Sequence, residues 1–210
     1  MLYLCLNTIF PFFTAVFGSS LDEVELRRKL IECSKTLGHR GPDWSGYFTE
    51  GSVGIAHERL AIIDPESGAQ PLRSPDGSIL VAANGEIYNY KEMYEKLKKT
   101  YSPLTGSDCE CVIPLYQQYG IEHFPDMLRG MFSFVIYDRS DNSFYAVRDH
   151  IGITPLYIGY GADGSIWFAS EMKALVKDCA TVQQFLPGCT ISDHIIYPHQ
   201  NDISSCFMMM

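Results

Sequence analysis

At 210 residues and 46% hydrophobic content, the chain is long enough to fill one core, with room for a small second unit. A formal net charge of -9 and a pI near 5.0 leave no basic footprint, which argues against nucleic acid or an anionic membrane as partner. The seven cysteines are odd in number and irregularly spaced, so no disulfide framework is expected and a reducing compartment fits better.

The opening stretch, MLYLCLNTIFPFFTAVFG, is almost wholly apolar. It reads as a secretory or tethering leader, or as a ragged start running into a buried strand. It lacks a basic n-region and a clean cleavage site, and Pro11 interrupts a run already short for a membrane span. A cytoplasmic chain without membrane association is therefore expected, with a secretory chain as the alternative. Residues 1–13 are taken as a divergent leader.

Thr14–Phe17 reads as a buried strand ended by Gly18. Asp22 and Glu25 form a capping box for a helix to about Leu37, its apolar face carried by Leu26, Leu30 and Cys33, with Gly38 as the stop. His39–Gly46, HRGPDWSG, is a turn-rich rigid loop. Val53–His57 is a strand running into Glu58-Arg-Leu-Ala-Ile-Ile-Asp64. There Arg59 is either a surface ion-pair partner or a bidentate holder of a carboxylate.

Ile79–Ala83 drives into Asn84-Gly85 and on to Glu86-Ile-Tyr-Asn-Tyr90. Asn-Gly between apolar runs is a hairpin signal. The same pair is also a side-chain amide beside an unencumbered backbone N–H, and two such donors can receive an oxyanion. Asn89 with Glu92 opens a helix to about Lys99. Ser107 and Glu110 make a second capping box for a helix that Pro114 should kink, and Asp108 in its first turn suits the helix dipole. Met131–Tyr137 with Phe144–Arg148, and Pro155–Tyr160 with Ser165–Ala169, read as hairpins. Ser170–Leu175 begins another helix. Strands in hairpin order with few helices predict an α+β fold with mostly antiparallel sheets. Residues 189–210 show no period and read as a loose tail, leaving residues 14–188 as the domain. Cys109 and Cys111 form a C-x-C pair without convergent histidines, so no metal site is expected.

HRGPDWSG, HERLAIID, NGEIYNY, TGSDCE, RDHIGITPLY and FASEMKAL follow one another in a single order. The series resembles the glutaminase (class II glutamine amidotransferase) domain of glutamine-hydrolysing asparagine synthetase. The resemblance covers roughly Ala15–Gly188 and implies an N-terminal-nucleophile hydrolase, a four-layer αββα sandwich. It implies that Arg59 holds the α-carboxylate of glutamine, with the backbone of Leu60, Ala61, Ile62 and Ile63 lining the pocket. Glu86 and Asp108 would hold the α-ammonium, and Asn84 and Gly85 would form the oxyanion hole. ATP and magnesium are expected only in a synthetase domain, none in this chain. The implied partners are glutamine and either full-length asparagine synthetase or a second copy of the chain.

The family's nucleophile is a cysteine that opens the mature chain, whose own α-amine acts as base. Placing Ala15–Gly18 on the family's first strand puts Pro11 in the cysteine slot, and Pro11 offers neither thiol nor primary amine. The activity expected is therefore glutamine binding with little or no hydrolysis.

Overall fold

The computed structural model describes residues 12–38, 44–59, 70–97, 100–192 and 195–199, the side chains of residues 44, 59, 195 and 196 excepted. With strands numbered in chain order, the first sheet holds β1 (Phe12–Phe17), β2 (Trp44–Glu50), β3 (Val53–Arg59), β8 (Tyr157–Tyr160), β9 (Ile166–Ala169) and β10 (Thr181–Gln184). The second holds β4 (Leu72–Arg73), β5 (Ile79–Ile87), β6 (Gly130–Asp138), β7 (Ser143–Arg148), β11 (Cys189–Ser192) and β12 (Ile195–Pro198). Their spatial orders are β10-β8-β9-β1-β3-β2 and β12-β11-β7-β6-β5-β4. The pairings are antiparallel, so hairpin connections suffice for most neighbours.

The strand alternation decides what each face meets. Phe13, Ala15 and Phe17 of β1 point towards Leu80 and Ala82 of β5 and Val135 and Tyr137 of β6, forming the layer between the sheets. Phe12 and Val16 point the other way, under Leu26, Leu30 and Cys33 of α1 (Glu23–Lys35). On the far side, Val81, Ala83, Phe132 and Phe134 meet Met93 and Leu97 of α2 (Tyr90–Leu97) and Val112, Ile113 and Leu115 of α3 (Val112–Tyr119). The result is the expected four-layer αββα sandwich. Among the described residues no helix is long and apolar enough to cross a membrane.

The α1 cap is as read: Asp22 Oδ1 accepts from Glu25 N at 3.0 Å. Other expectations need correction. Residues 44–46 belong to β2 rather than to a loop, because they pair with β3 through Trp44↔Arg59. β1 starts at Phe12, inside the stretch taken as a leader. Asn84-Gly85 is no turn. It lies within β5, which pairs with β6 from Ile79↔Asp138 to Ile87↔Gly130.

The Ser107–Glu110 box does not form, since Ser107 makes no side-chain cap. The Glu110 carboxylate is drawn instead to Tyr101 and to the Leu104 and Thr105 amides. Asn89 does not cap α2 with its side chain, which bridges Met127 O and Arg129 N. A 3-10 turn at Asp108–Cys111 precedes α3, so Pro114 falls in that helix's first turn, where a missing N–H costs least. Ser170–Leu175 makes only a 3-10 turn, Met172–Ala174.

The expected tail is not loose over its first half. Thr190, Ile191 and Ser192 pair with Val147, Ala146 and Tyr145, and β12 pairs with β11. These strands take their register from β7, a partner that local periodicity does not show.

The inter-sheet layer sets the stability of the whole. Phe168 is fully buried there, with Phe17, Phe144 and Phe185 at centroid distances of 6.2 Å each. Phe168→Ala is expected to cost about 3–5 kcal/mol, the range for truncating a buried aromatic. Urea unfolding read by circular dichroism measures it, and a loss under about 1 kcal/mol would mean the layer collapses to fill the gap.

Candidate functional site

The apolar layer between the sheets gives out at one end. On the inward face of the second sheet, Asn84 of β5 stands opposite Ser133 of β6, and Ser133 opposite Arg148 of β7. All three are buried, Asn84 and Ser133 completely. They make a polar row across three strands, next to Glu86 at the end of β5 and beyond inward positions that are otherwise apolar.

Arg148 is fully engaged. Its guanidinium donates to Thr154 O at 2.9 Å, Phe185 O at 2.5 Å and Gly152 O at 2.8 Å, which folds the loop after β7 against the core. Burial pulls its pKa below the ordinary value. Asp149 completes that loop: Oδ1 accepts from Ile151 N and Gly152 N, and Oδ2 from Phe132 N.

Asn84 is the opposite case. Neither its Nδ2 nor its Oδ1 has a partner among the described residues, and the same holds for Ser133 Oγ. A buried polar group left unpaired costs about 1–3 kcal/mol. An amide held in this way offers two donors and an acceptor to whatever enters.

The backbone around it is fixed from several sides. His57 Nε2 meets Ala83 O at 3.1 Å across the two sheets, and Gln70 Oε1 accepts from Ala83 N at 2.7 Å. Gly85 has φ +125°, and a Cβ there would sit 2.0 Å from Met131 O, so only glycine fits. Gly130 plays the same part from the β6 side, where a Cβ would lie 2.1 Å from Glu86 O. Two bare positions let β5 and β6 cross this closely.

Asp108 closes the site from the 3-10 turn. Its Oδ2 accepts from Ile87 N at 2.6 Å, tying the turn to the end of β5 next to Glu86. Burial pushes its carboxyl pKa up from the ordinary 3.8, against the pull of the Ile87 amide and its own neighbours. Cys109 lies behind it with Sγ 3.9 Å from Gly85 O, and burial raises the thiol pKa well above the usual range. Glu110 organises the loop that presents Asp108: it accepts from Tyr101 Oη at 2.5 Å, from Leu104 N and Thr105 N at 2.6 Å, and from the Thr105 hydroxyl.

The start of β1 is held by Ser170, whose Oγ accepts from Phe13 N at 3.2 Å and whose N donates to Phe13 O at 3.1 Å. A cavity of about 890 Å³ lined by Ser78, Tyr116, Tyr119, Glu122 and Asp138 lies at the other end of β5 and does not include Asn84.

Of the residues expected from the sequence, Asn84, Gly85, Glu86 and Asp108 come together at this end of β5. Arg59 has its backbone in β3 opposite Trp44, while its side chain and Leu60, Ala61, Ile62, Ile63 and Pro11 lie outside the described residues. His57, Gln70, Ser133 and Arg148 were not singled out. The signal for three of them was present: a lone polar residue at an inward position of an otherwise apolar strand.

A family model described as a glutamine amidotransferase domain matches residues 13–197. The chain is 56% identical over 174 residues to asparagine synthetase [glutamine-hydrolyzing] 2 of Arabidopsis thaliana, a match covering 83% of this chain and 30% of the relative. It is 55% identical to the asparagine synthetase [glutamine-hydrolyzing] of Zea mays, covering 29% of that protein. The chain thus spans under a third of the length of these relatives. In fold it is similar to the glutamine phosphoribosylpyrophosphate amidotransferase of B. subtilis, with a TM-score of 0.73 at 22% identity, covering 89% of this chain and 48% of that one.

Because the Asp108 carboxyl titrates above its ordinary 3.8 in the folded state, its contribution to stability is fully present below that pH and lost as pH rises through the raised value. Asp108→Asn, neutral throughout, should therefore gain on the wild type as pH rises from about 3 to about 7, seen as a widening melting-temperature difference in its favour. A difference that stays flat with pH would mean that burial does not disfavour this charge.

Proposed function

The chain belongs to the glutamine amidotransferase domain family, and we propose that it is a glutaminase domain of the asparagine-synthetase kind that grips glutamine without cutting it. The observation that carries this reading is the Asn84 amide, wholly buried and without a partner at either atom among the described residues. In this reading the side-chain carbonyl of glutamine takes Asn84 Nδ2 and the Gly85 N–H. Glu86 and Asp108 take its α-ammonium, and Arg59 its α-carboxylate, with the backbone of residues 60–63 alongside. A free amino acid needs one cation, one or two anions and donors aimed at its amide oxygen. Those residue types are the ones assembled here.

Cleavage needs more. A thiolate must attack the carboxamide carbon, a base must take the thiol proton, and that proton must reach the departing ammonia. Position 11, directly before β1, is a proline, with neither thiol nor primary amine. Cys5 has its amine in a peptide bond and lies further from the strand. Cys109 is near Gly85, but burial keeps its thiol protonated, so it makes a poor nucleophile. The donors that would stabilise the tetrahedral oxyanion are thus retained without the group that creates it.

The partner in this reading is a synthetase unit that uses ATP and magnesium to amidate aspartate, in full-length synthetase or beside a second copy of this chain. With a nucleophile restored, ammonia released at Asn84 would feed that unit.

Calorimetry with glutamine is expected to show saturable binding that Asn84→Ala weakens, while glutamate release stays at background. Replacing residues 1–13 by Met-Cys-Gly-Ile should create glutaminase activity, and adding Asn84→Ala to that form should lower kcat about 10²- to 10³-fold, the usual worth of one oxyanion donor. Glutamate release by the unaltered chain that disappears in Cys5→Ala would overturn the non-hydrolytic reading. Absence of glutamine binding would overturn the site itself.

A further inference from the structure

Asp126, His150 and His199 come from three separated segments, and one ligand atom of each lies within 4.8 Å of the other two. We propose that they form a binding site for a divalent transition-metal ion of the zinc class, unrelated to the residues that grip glutamine.

The donor set is specific. Two imidazoles and one carboxylate suit borderline ions such as Zn²⁺, Co²⁺ or Ni²⁺, whereas Mg²⁺ and Ca²⁺ call for oxygen donors. No thiolate belongs to the group. A tetrahedral ion with bonds of about 2.0–2.1 Å holds its donors about 3.3 Å apart, so the side chains need to close by an ångström or so. Asp126 and His150 are half-buried, at the side of the group nearest solvent.

Each segment is already pinned in place. Asp126 sits in the 3-10 turn Phe124–Met127, held by Leu128 N donating to Pro125 O and by the Asn89 side chain on Met127 O. His150 follows Asp149, whose carboxylate and backbone are both engaged: its carbonyl accepts from Gly188 N at 2.9 Å. Gly188 O in turn accepts from His199 N at 2.8 Å, which sets the two histidines side by side. Their rings meet edge to face, with centroids 4.9 Å apart and planes at 83°.

His199 also has the outer partner that metal-bound imidazoles commonly carry. Its Nε2 lies 3.1 Å from the buried Thr190 hydroxyl. When Nε2–H donates to that oxygen, Nδ1 holds the lone pair that an ion takes, and the ring orientation is fixed. Three protein donors leave a fourth position for water at the half-exposed side. An ion there would clamp β12 and the segment after it to the turn before β6. The sequence hides this group because no local spacing joins residues 126, 150 and 199.

The test uses the full chain stripped with chelator and then titrated with Zn²⁺ alone. Expected are one ion per chain, a rise in melting temperature, and binding weakened at least tenfold by His150→Ala and by Asp126→Asn. Thr190→Val should weaken it about 10- to 100-fold, as loss of an outer-shell partner does. Co²⁺ in place of Zn²⁺ should give visible bands without a thiolate-to-cobalt charge-transfer band, and Mg²⁺ should not compete. Folding is checked by circular dichroism. Should His199→Gln fail to fold, the two half-exposed variants decide alone. Zn²⁺ affinity unchanged in both His150→Ala and Asp126→Asn, or a thiolate band with Co²⁺, would overturn the site.

Discussion

The architecture rests on the apolar layer that glues the two sheets face to face. Phe13 and Phe17 of β1, Leu80 of β5, Val135 of β6, Phe168 of β9 and Ile191 of β11 fill it, all nearly or wholly buried. Non-directional burial of this kind supplies most of the favourable free energy of folding. It also creates the conditions for chemistry at its edge. Where Leu80 and Ala82 give way to Asn84, the layer ends in a buried amide without a hydrogen-bond partner among the described residues. The layer's stability offsets the cost of that unmet demand.

Three acidic side chains at buried or half-buried positions show how partners, rather than residue type, decide a role. Glu58 lies on the outward face of β3, buried, and accepts from the hydroxyls of Ser34, Ser45 and Tyr47. Glu110 gathers two amides and two hydroxyls and so fixes a loop. Asp108 is half-buried and accepts from the Ile87 amide, and burial raises its pKa. In the proposed reading, Asp108 is the one of the three left to meet a cation from outside.

Much of the fold was legible because it is written in local signals. The Asp22 cap, the inward face of α1 and the hairpins 131–148 and 157–169 follow from turn residues and period. Asn84-Gly85 shows where locality misleads. The dipeptide is the one that hairpins favour, yet Gly85 spends its positive φ on the close crossing with Met131. β11 and β12 were invisible because their order comes from β7, and the Ser107–Glu110 box failed because Glu110 found better donors in a loop before it. Asn84, Gly85, Glu86 and Asp108 were singled out through the resemblance of their motifs, and the structure brings them together at one end of β5. Ser133 and Arg148 were not singled out: one polar residue at an inward strand position is a faint signal, even where, as at Arg148, it opens a motif. Their meaning emerges only when strand register sets them in one row with Asn84.

In the proposed reading the two halves of the site belong to different sheets, and this bears on what the fold tolerates. The amide-receiving half belongs to β5 and is locked by its partners β6, Gln70 and His57. The nucleophile half would belong to the residue ahead of β1, and β1 is secured without it: Ser170 holds Phe13 by two hydrogen bonds, and β3 and β9 flank the strand. In the proposed reading a proline at position 11 takes away the nucleophile, while the backbone beside Asn84 is fixed by β6, Gln70 and His57.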